Sequence, residues 1–297
     1  MNPALVLLPD FLLILFGHAL RRSGLFSGQF WSDAEKFIYF VLFPPLLFRA
    51  LARAQLDLQA SVPMLLTGVL FTLAGFVAAL AARHFFTLSS ASFAAGQQAA
   101  YRFNTYVGFA VIGALSGPPG LAAIALLAGV MIPLVNLLAV WQLARAGGGR
   151  LWGELARNPL IWGIVAGLSA NLSGLSVPDW LFHAAGYLAD SALPLGLITV
   201  GAGLRFAAVR AHLGPVCYWT AIKLVLVPAV ALALAAVFGL TGVYRQAALV
   251  MALLPTATST YILAVRMGGD GTLAASLVTV STLAAMVSMP LFLAGFA

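Results

Sequence analysis

Leu253-Leu254-Pro255-Thr256-Ala257-Thr258-Ser259-Thr260-Tyr261 interrupts one of the longest apolar runs in the chain. Proline lacks an N–H and its ring strikes the preceding turn, so a helix passing through this stretch opens at Pro255. Freed carbonyls cannot face hydrocarbon; they need protein, water or a solute. Thr256, Thr258, Ser259 and Thr260 supply hydroxyls at that place. A second stretch, Gly96-Gln97-Gln98-Ala99-Ala100-Tyr101-Arg102-Phe103-Asn104-Thr105-Tyr106-Val107-Gly108, is similarly polar between apolar flanks. Whether those flanks cross a membrane decides the fold.

Composition says that they do. Of 297 residues, 62% are hydrophobic and 8% charged, against about 25% charged in an ordinary soluble domain. Mean hydropathy is +1.03. So few charges cannot cover a soluble body of this size, and a disordered chain is excluded as well. The formal net charge is +7, but the basic residues lie singly or in pairs between apolar runs, not as a nucleic-acid stripe. Cys217 is the single cysteine, which rules out an intrachain disulfide. The first apolar run has no basic residue before it and Arg21-Arg22 after it, so it reads as a span and not as a signal peptide.

A helix crossing about 30 Å of hydrocarbon takes roughly 20 residues. Ten candidates follow, at 4–20, 34–52, 61–82, 92–115, 119–144, 156–173, 184–204, 213–238, 244–265 and 271–293. Arg21, Arg22, Lys36, Arg83, Arg145, Arg150, Arg157, Arg205, Arg210 and Arg266 fall on one side of the alternation, and only Arg49, Arg53 and Arg245 on the other. The positive-inside rule puts the richer side in the cytoplasm and both termini outside.

Pro9 and Pro159 stand 150 apart by number, as do Pro44 and Pro194; the break near Asn104 answers the one near Pro255, and Pro133 answers Pro290. The chain thus divides into two five-span halves, 1–146 and 151–297. Five is odd, so the second half enters from the opposite side and the two form an inverted repeat, a symmetry common in secondary transporters. The expected fold class is an all-α polytopic membrane protein, ten helices in a 5+5 inverted repeat with crossed, broken helices four and nine.

The half-helix ends at such a crossing suit a small solute: N-terminal ends attract anions, C-terminal ends cations. Candidate binding residues are Arg102, Asn104, Thr105 and Tyr106 in the first break and Pro255, Thr256, Thr258 and Ser259 in the second. Arg102 either attracts an anion or sits in a salt bridge. Asn104 carries a donor and an acceptor able to read a carboxylate or hold an unwound carbonyl. Pro44, Pro45 and Pro194 are candidate helix breaks beside the crossing. Asp10, Asp190 and Lys223 are candidates for coupling, with Lys223 open to pairing with either aspartate. His18, His84, His183 and His212 lie near span ends without ligand spacing, and no phosphate-binding loop occurs, so no metal, no cofactor and no enzymatic reaction is expected.

Arg102-Phe103-Asn104-Thr105-Tyr106-Val107-Gly108 resembles the fourth helix of the auxin efflux carrier family, the PIN-like transporters. Leu254-Pro255-Thr256-Ala257-Thr258 with Tyr261-Ile262-Leu263-Ala264 is similar to its ninth. Phe43-Pro44-Pro45-Leu46-Leu47-Phe48, the opening from Leu8 to Arg22, and the tail from Gly268-Gly269-Asp270 to Pro290-Leu291 extend the resemblance along the chain. It implies a bile-acid or sodium/proton carrier-like architecture with scaffold and transport domains, a homodimer, and a small organic anion as cargo: an auxin-like monocarboxylate or a malonate- or malate-like dicarboxylate. It maps a substrate-contacting Asn onto Asn104 and the crossing proline onto Pro255. Many relatives carry a proline shortly after that Asn; this chain has Ala110, which leaves Gly108 to open the helix. The short linker at Gly147–Gly149 matches bacterial members, hence a bacterial inner membrane with both termini periplasmic.

The expectation is elevator-like alternating access by an organic-anion carrier, driven by H+, Na+ or the membrane potential alone. A membrane-embedded solute sensor or an anion channel on the same fold is the alternative.

Overall fold

The computed structural model describes residues 3–147, 158–174, 177–206 and 212–294, and among these the regular structure is helical throughout. The linker expected at 147–150, with Arg150 and Arg157, and also Arg210, fall largely or wholly outside that set. The helices are α1 (Pro3–Arg22), α2 (Gly28–Phe37), α3 (Phe43–Ala52), α4 (Leu58–Leu80), α5 (Ala82–Phe85), α6 (Ser90–Gln97), α7 (Thr105–Gly147), α8 (Pro159–Leu172), α9 (Asp179–Ala202), α10 (Leu213–Ala221), α11 (Val227–Val237), α12 (Gly242–Leu253), α13 (Ser259–Arg266) and α14 (Gly271–Ala294). Among the described residues, five stretches are long and apolar enough to cross a bilayer: Gln59–Phe85, Ser90–Leu143, Asp179–Ala202, Leu213–Val237 and Gly271–Ala294. The outer surface carries exposed Leu12, Leu15, Phe16, Val77, Trp180 and Leu291, a fault in water and the expected face toward lipid.

Starts and turns follow local chemistry. Ser27, Asp57, Ser89 and Asn158 each accept a hydrogen bond from a first-turn amide and cap α2, α4, α6 and α8. Within α7 the helix kinks at Gly117, whose φ of 57° and ψ of −147° are open only to glycine; Pro118-Pro119 then begins the next helical stretch.

Two packed groups emerge. In one, α1 lies on α9, and α3 lies on both α8 and α9. The contacts are backbone-close: a Cβ on Gly201 would run into the Ile14 carbonyl, one on Gly17 into the Ile198 carbonyl, and one on Gly163 would stand 2.8 Å from the Pro44 oxygen. Small residues give helices close van der Waals contact where lipid removes any hydrophobic drive to associate. In the other group α12 packs on α4 and α7, α11 on α4, and α14 on α10 and α13.

Three expected helix breaks are not breaks. Pro194 lies inside the continuous α9. Pro44-Pro45 stands at the start of α3, directly after a π-helical turn, Ile38–Leu42, that joins it to α2. There the hydrogen-bond ladder slips by one residue to absorb the missing donors and does not open. Gly108 is helical within α7; the chain opens before it.

Candidate functional site

The first opening is assembled without proline. α6 tightens into a 3-10 turn at Gln98–Ala100, Tyr101–Asn104 leaves the helix, and α7 starts at Thr105. Asn104 makes the restart: its Oδ1 accepts from the amides of Tyr106 (3.1 Å) and Val107 (3.4 Å), satisfying donors that the new helix leaves free. The second opening runs from Leu254 to Thr258. Leu254 is extended, with φ −60° and ψ 143°, and α13 resumes at Ser259.

The two openings are laced together. The Asn104 amide donates to the Pro255 carbonyl at 2.9 Å. Thr256 Oγ1 donates to the Ala99 carbonyl at 2.6 Å, and the Thr256 amide donates to Ser281 Oγ of α14 at 3.2 Å. Arg102 Nη2 donates to Ser259 Oγ at 2.9 Å. Arg102, Asn104, Pro255, Thr256 and Ser259 are therefore neighbours, drawn from positions about 150 residues apart. Thr258 turns elsewhere, donating at 2.9 Å to Glu35 Oε1 from α2. Tyr106 packs instead between helices, its ring 4.8 Å from that of Phe43 and against Gly196. Thr105 opens α7 and is half-buried.

The site is rich in buried donors. Arg102 is 6% exposed, and its Nε and Nη1 have no hydrogen-bond partner. Neither does Asn104 Nδ2, nor both side-chain polar atoms of Gln98, nor Thr260 Oγ1. Buried polar groups are normally satisfied, so an unsatisfied cluster calls for an explanation. Among the described residues, the charged side chains that are fully buried are Arg102 and Lys223, both cations. Among the described residues neither is paired with a carboxylate.

The three coupling candidates do not converge. Asp190 is largely exposed and pairs with Arg49 at 3.5 Å, in a cluster where the Phe182 ring lies beneath Arg49 and Arg53 and Arg53 pairs with Asp179 at 2.6 Å. Asp10 lies in α1 with Oδ2 buried and without a partner. Lys223 meets neither: its Nζ donates to the Ala252 carbonyl at 3.3 Å. Asp190 is held by a nearer cation, and burial leaves Lys223 only backbone to bond. Sequence reasoning passed over Glu35, Gln98 and Ser281. The adjacent amides of Gln97-Gln98 in a span were the one available signal.

A family model described as a membrane transport protein matches residues 144–293, half of the chain. An "Uncharacterized transporter" of Methanothermobacter thermautotrophicus is 27% identical over 288 residues, covering 94% of each chain. A "Putative malonate transporter" of Rhizobium meliloti is 25% identical over 306 residues, covering 96% of this chain and 92% of the relative. With its all-helical fold and exposed apolar surface, the chain belongs to the membrane transport protein family, that of the auxin efflux carriers.

Proposed function

We propose that the protein is a secondary carrier for a small organic anion, moved by elevator-like alternating access. The carrying observation is the imbalance at the crossing: two buried cations and unpartnered donors on Arg102 and Asn104, with no carboxylate paired to either cation among the described residues. An isolated buried charge is expensive, by several kcal/mol even after relaxation. A carboxylate from solution supplies the missing partner, with a bidentate fit to the guanidinium fork. Asn104 Nδ2 adds a neutral donor, and the α7 N-terminus adds its dipole.

The cargo is a monocarboxylate or a short dicarboxylate; the name of the Rhizobium relative favours malonate as the first solute to try. The chain reads as two five-span halves, 1–146 and 151–297, in an inverted repeat. In this reading the α1, α3, α8 and α9 group is the scaffold and the group bearing both openings is the moving part. The scaffold's apolar face is the natural seat of a homodimer, with both termini on the outer face of a bacterial inner membrane. Uptake of labelled malonate, malate and indole-3-acetate into proteoliposomes tests the reading. Saturable uptake that Arg102→Gln abolishes is expected; wild-type vesicles no more permeable than empty ones to all three acids would overturn it.

A further inference from the structure

α12 ends at Leu253, and its last carbonyls lose their intrahelical partners there. The Ala252 carbonyl would accept from the amide of Thr256 if the helix continued. That amide is committed to Ser281 Oγ at 3.2 Å. The carbonyl's donor is instead the ammonium of Lys223, at 3.3 Å and 1% exposed. Lys223 reaches it from a π-helical turn, Ile222–Leu226, inserted between α10 and α11. This turn packs against α12, α4, α14 and the 3-10 end of α6, so the ammonium lies where the first halves of both interrupted helices meet. π-turns bulge a helix and re-aim its side chains, frequently at functional sites.

The C-terminal end of a half-helix carries partial negative charge, and in carriers with discontinuous helices such ends and their unwound carbonyls coordinate Na+ or H+. Here the end already holds a cation, and among the described residues no carboxylate pairs with Lys223 to add the negative charge that would hold a second. A sodium ion beside Lys223 would meet like-charge repulsion in a medium of low dielectric. We infer that Lys223 is a built-in counter-cation of the second opening: its ammonium occupies the carbonyl end that a coupling ion would otherwise take, and the carrier works without sodium. Lys223 is thus a positioning residue, acting through the α12 carbonyls and not on the solute. The inference rests on the carrier reading for its transport readout and on ion binding for one that is independent of it.

The test uses the full chain. In proteoliposomes, [14C]malonate uptake is compared in sodium and choline media; in detergent, 22Na+ binding is measured directly. Expected are equal uptake in the two media and no saturable 22Na+ binding by the wild type. Lys223→Ala should lower uptake roughly tenfold or more, with external ethylammonium restoring part of it and 22Na+ now binding saturably. Sodium-stimulated uptake or saturable 22Na+ binding by the wild type overturns the inference, as does a Lys223→Ala protein that transports normally or that ethylammonium does not help. If Lys223→Ala does not fold, the two wild-type measurements still decide. Absence of malonate, malate and indole-3-acetate uptake removes the carrier reading alone, and 22Na+ binding then judges Lys223 by itself.

Discussion

The two openings do the same thing by different means. Pro255 breaks its helix locally: it cannot donate to the ladder, and its ring crowds the turn before it. The opening at Tyr101–Asn104 contains no such residue. It exists because the Asn104 side chain restarts α7 while its amide and the Ala99 carbonyl bond across to the other chain segment. One opening is seeded by its own sequence and then held by its partners; the other has no such residue and depends on its partners.

That contrast can be broken or sharpened by mutation. The largest effect belongs to the side that carries charge. Arg102→Gln removes the guanidinium and should reduce malonate uptake by about two orders of magnitude, as loss of a buried charge-assisted contact does. Ser281→Ala comes next. It leaves the buried Thr256 amide without its acceptor, for an expected loss of about 1–3 kcal/mol of stability, read as a lower melting midpoint in detergent. Asn104→Ala takes away the cap of α7 and should cost about 1 kcal/mol by the same measurement, and lower uptake as well. Pro255→Ala should do least to stability. Its carbonyl still accepts from Asn104, the new N–H faces the last-turn carbonyls of α12, and the greater freedom of the unfolded chain costs about 0.4–1 kcal/mol. A melting midpoint more sensitive to Pro255→Ala than to Asn104→Ala would reverse the comparison.

Prolines show how far sequence reading reaches. Pro255 opens its helix, whereas Pro194 stays inside α9 and Pro44-Pro45 is absorbed next to a π-turn. The residues are chemically alike. What differs is whether other elements offer partners for the freed groups, as Ser281 does for the Thr256 amide and Lys223 for the Ala252 carbonyl. Gly108 was expected to open the first helix because no proline follows Asn104. It proves to be small for another reason, since a Cβ there would stand 2.8 Å from Leu254 Cδ1. Glu35 was invisible as part of this neighbourhood, for its partner Thr258 lies 223 positions away.

Composition and the length of the apolar runs determined by themselves that this chain is helical and lives in lipid, because no other backbone arrangement in such runs satisfies its own polar groups there. Local sterics at Pro255 likewise needed no fold. Tertiary structure alone decided where the first helix parts, that Arg102 joins Ser259, and that Lys223 faces a carbonyl and not an aspartate. Those outcomes turn on which donor reaches which orphaned acceptor first, and distance between helices is something a linear order of residues does not contain.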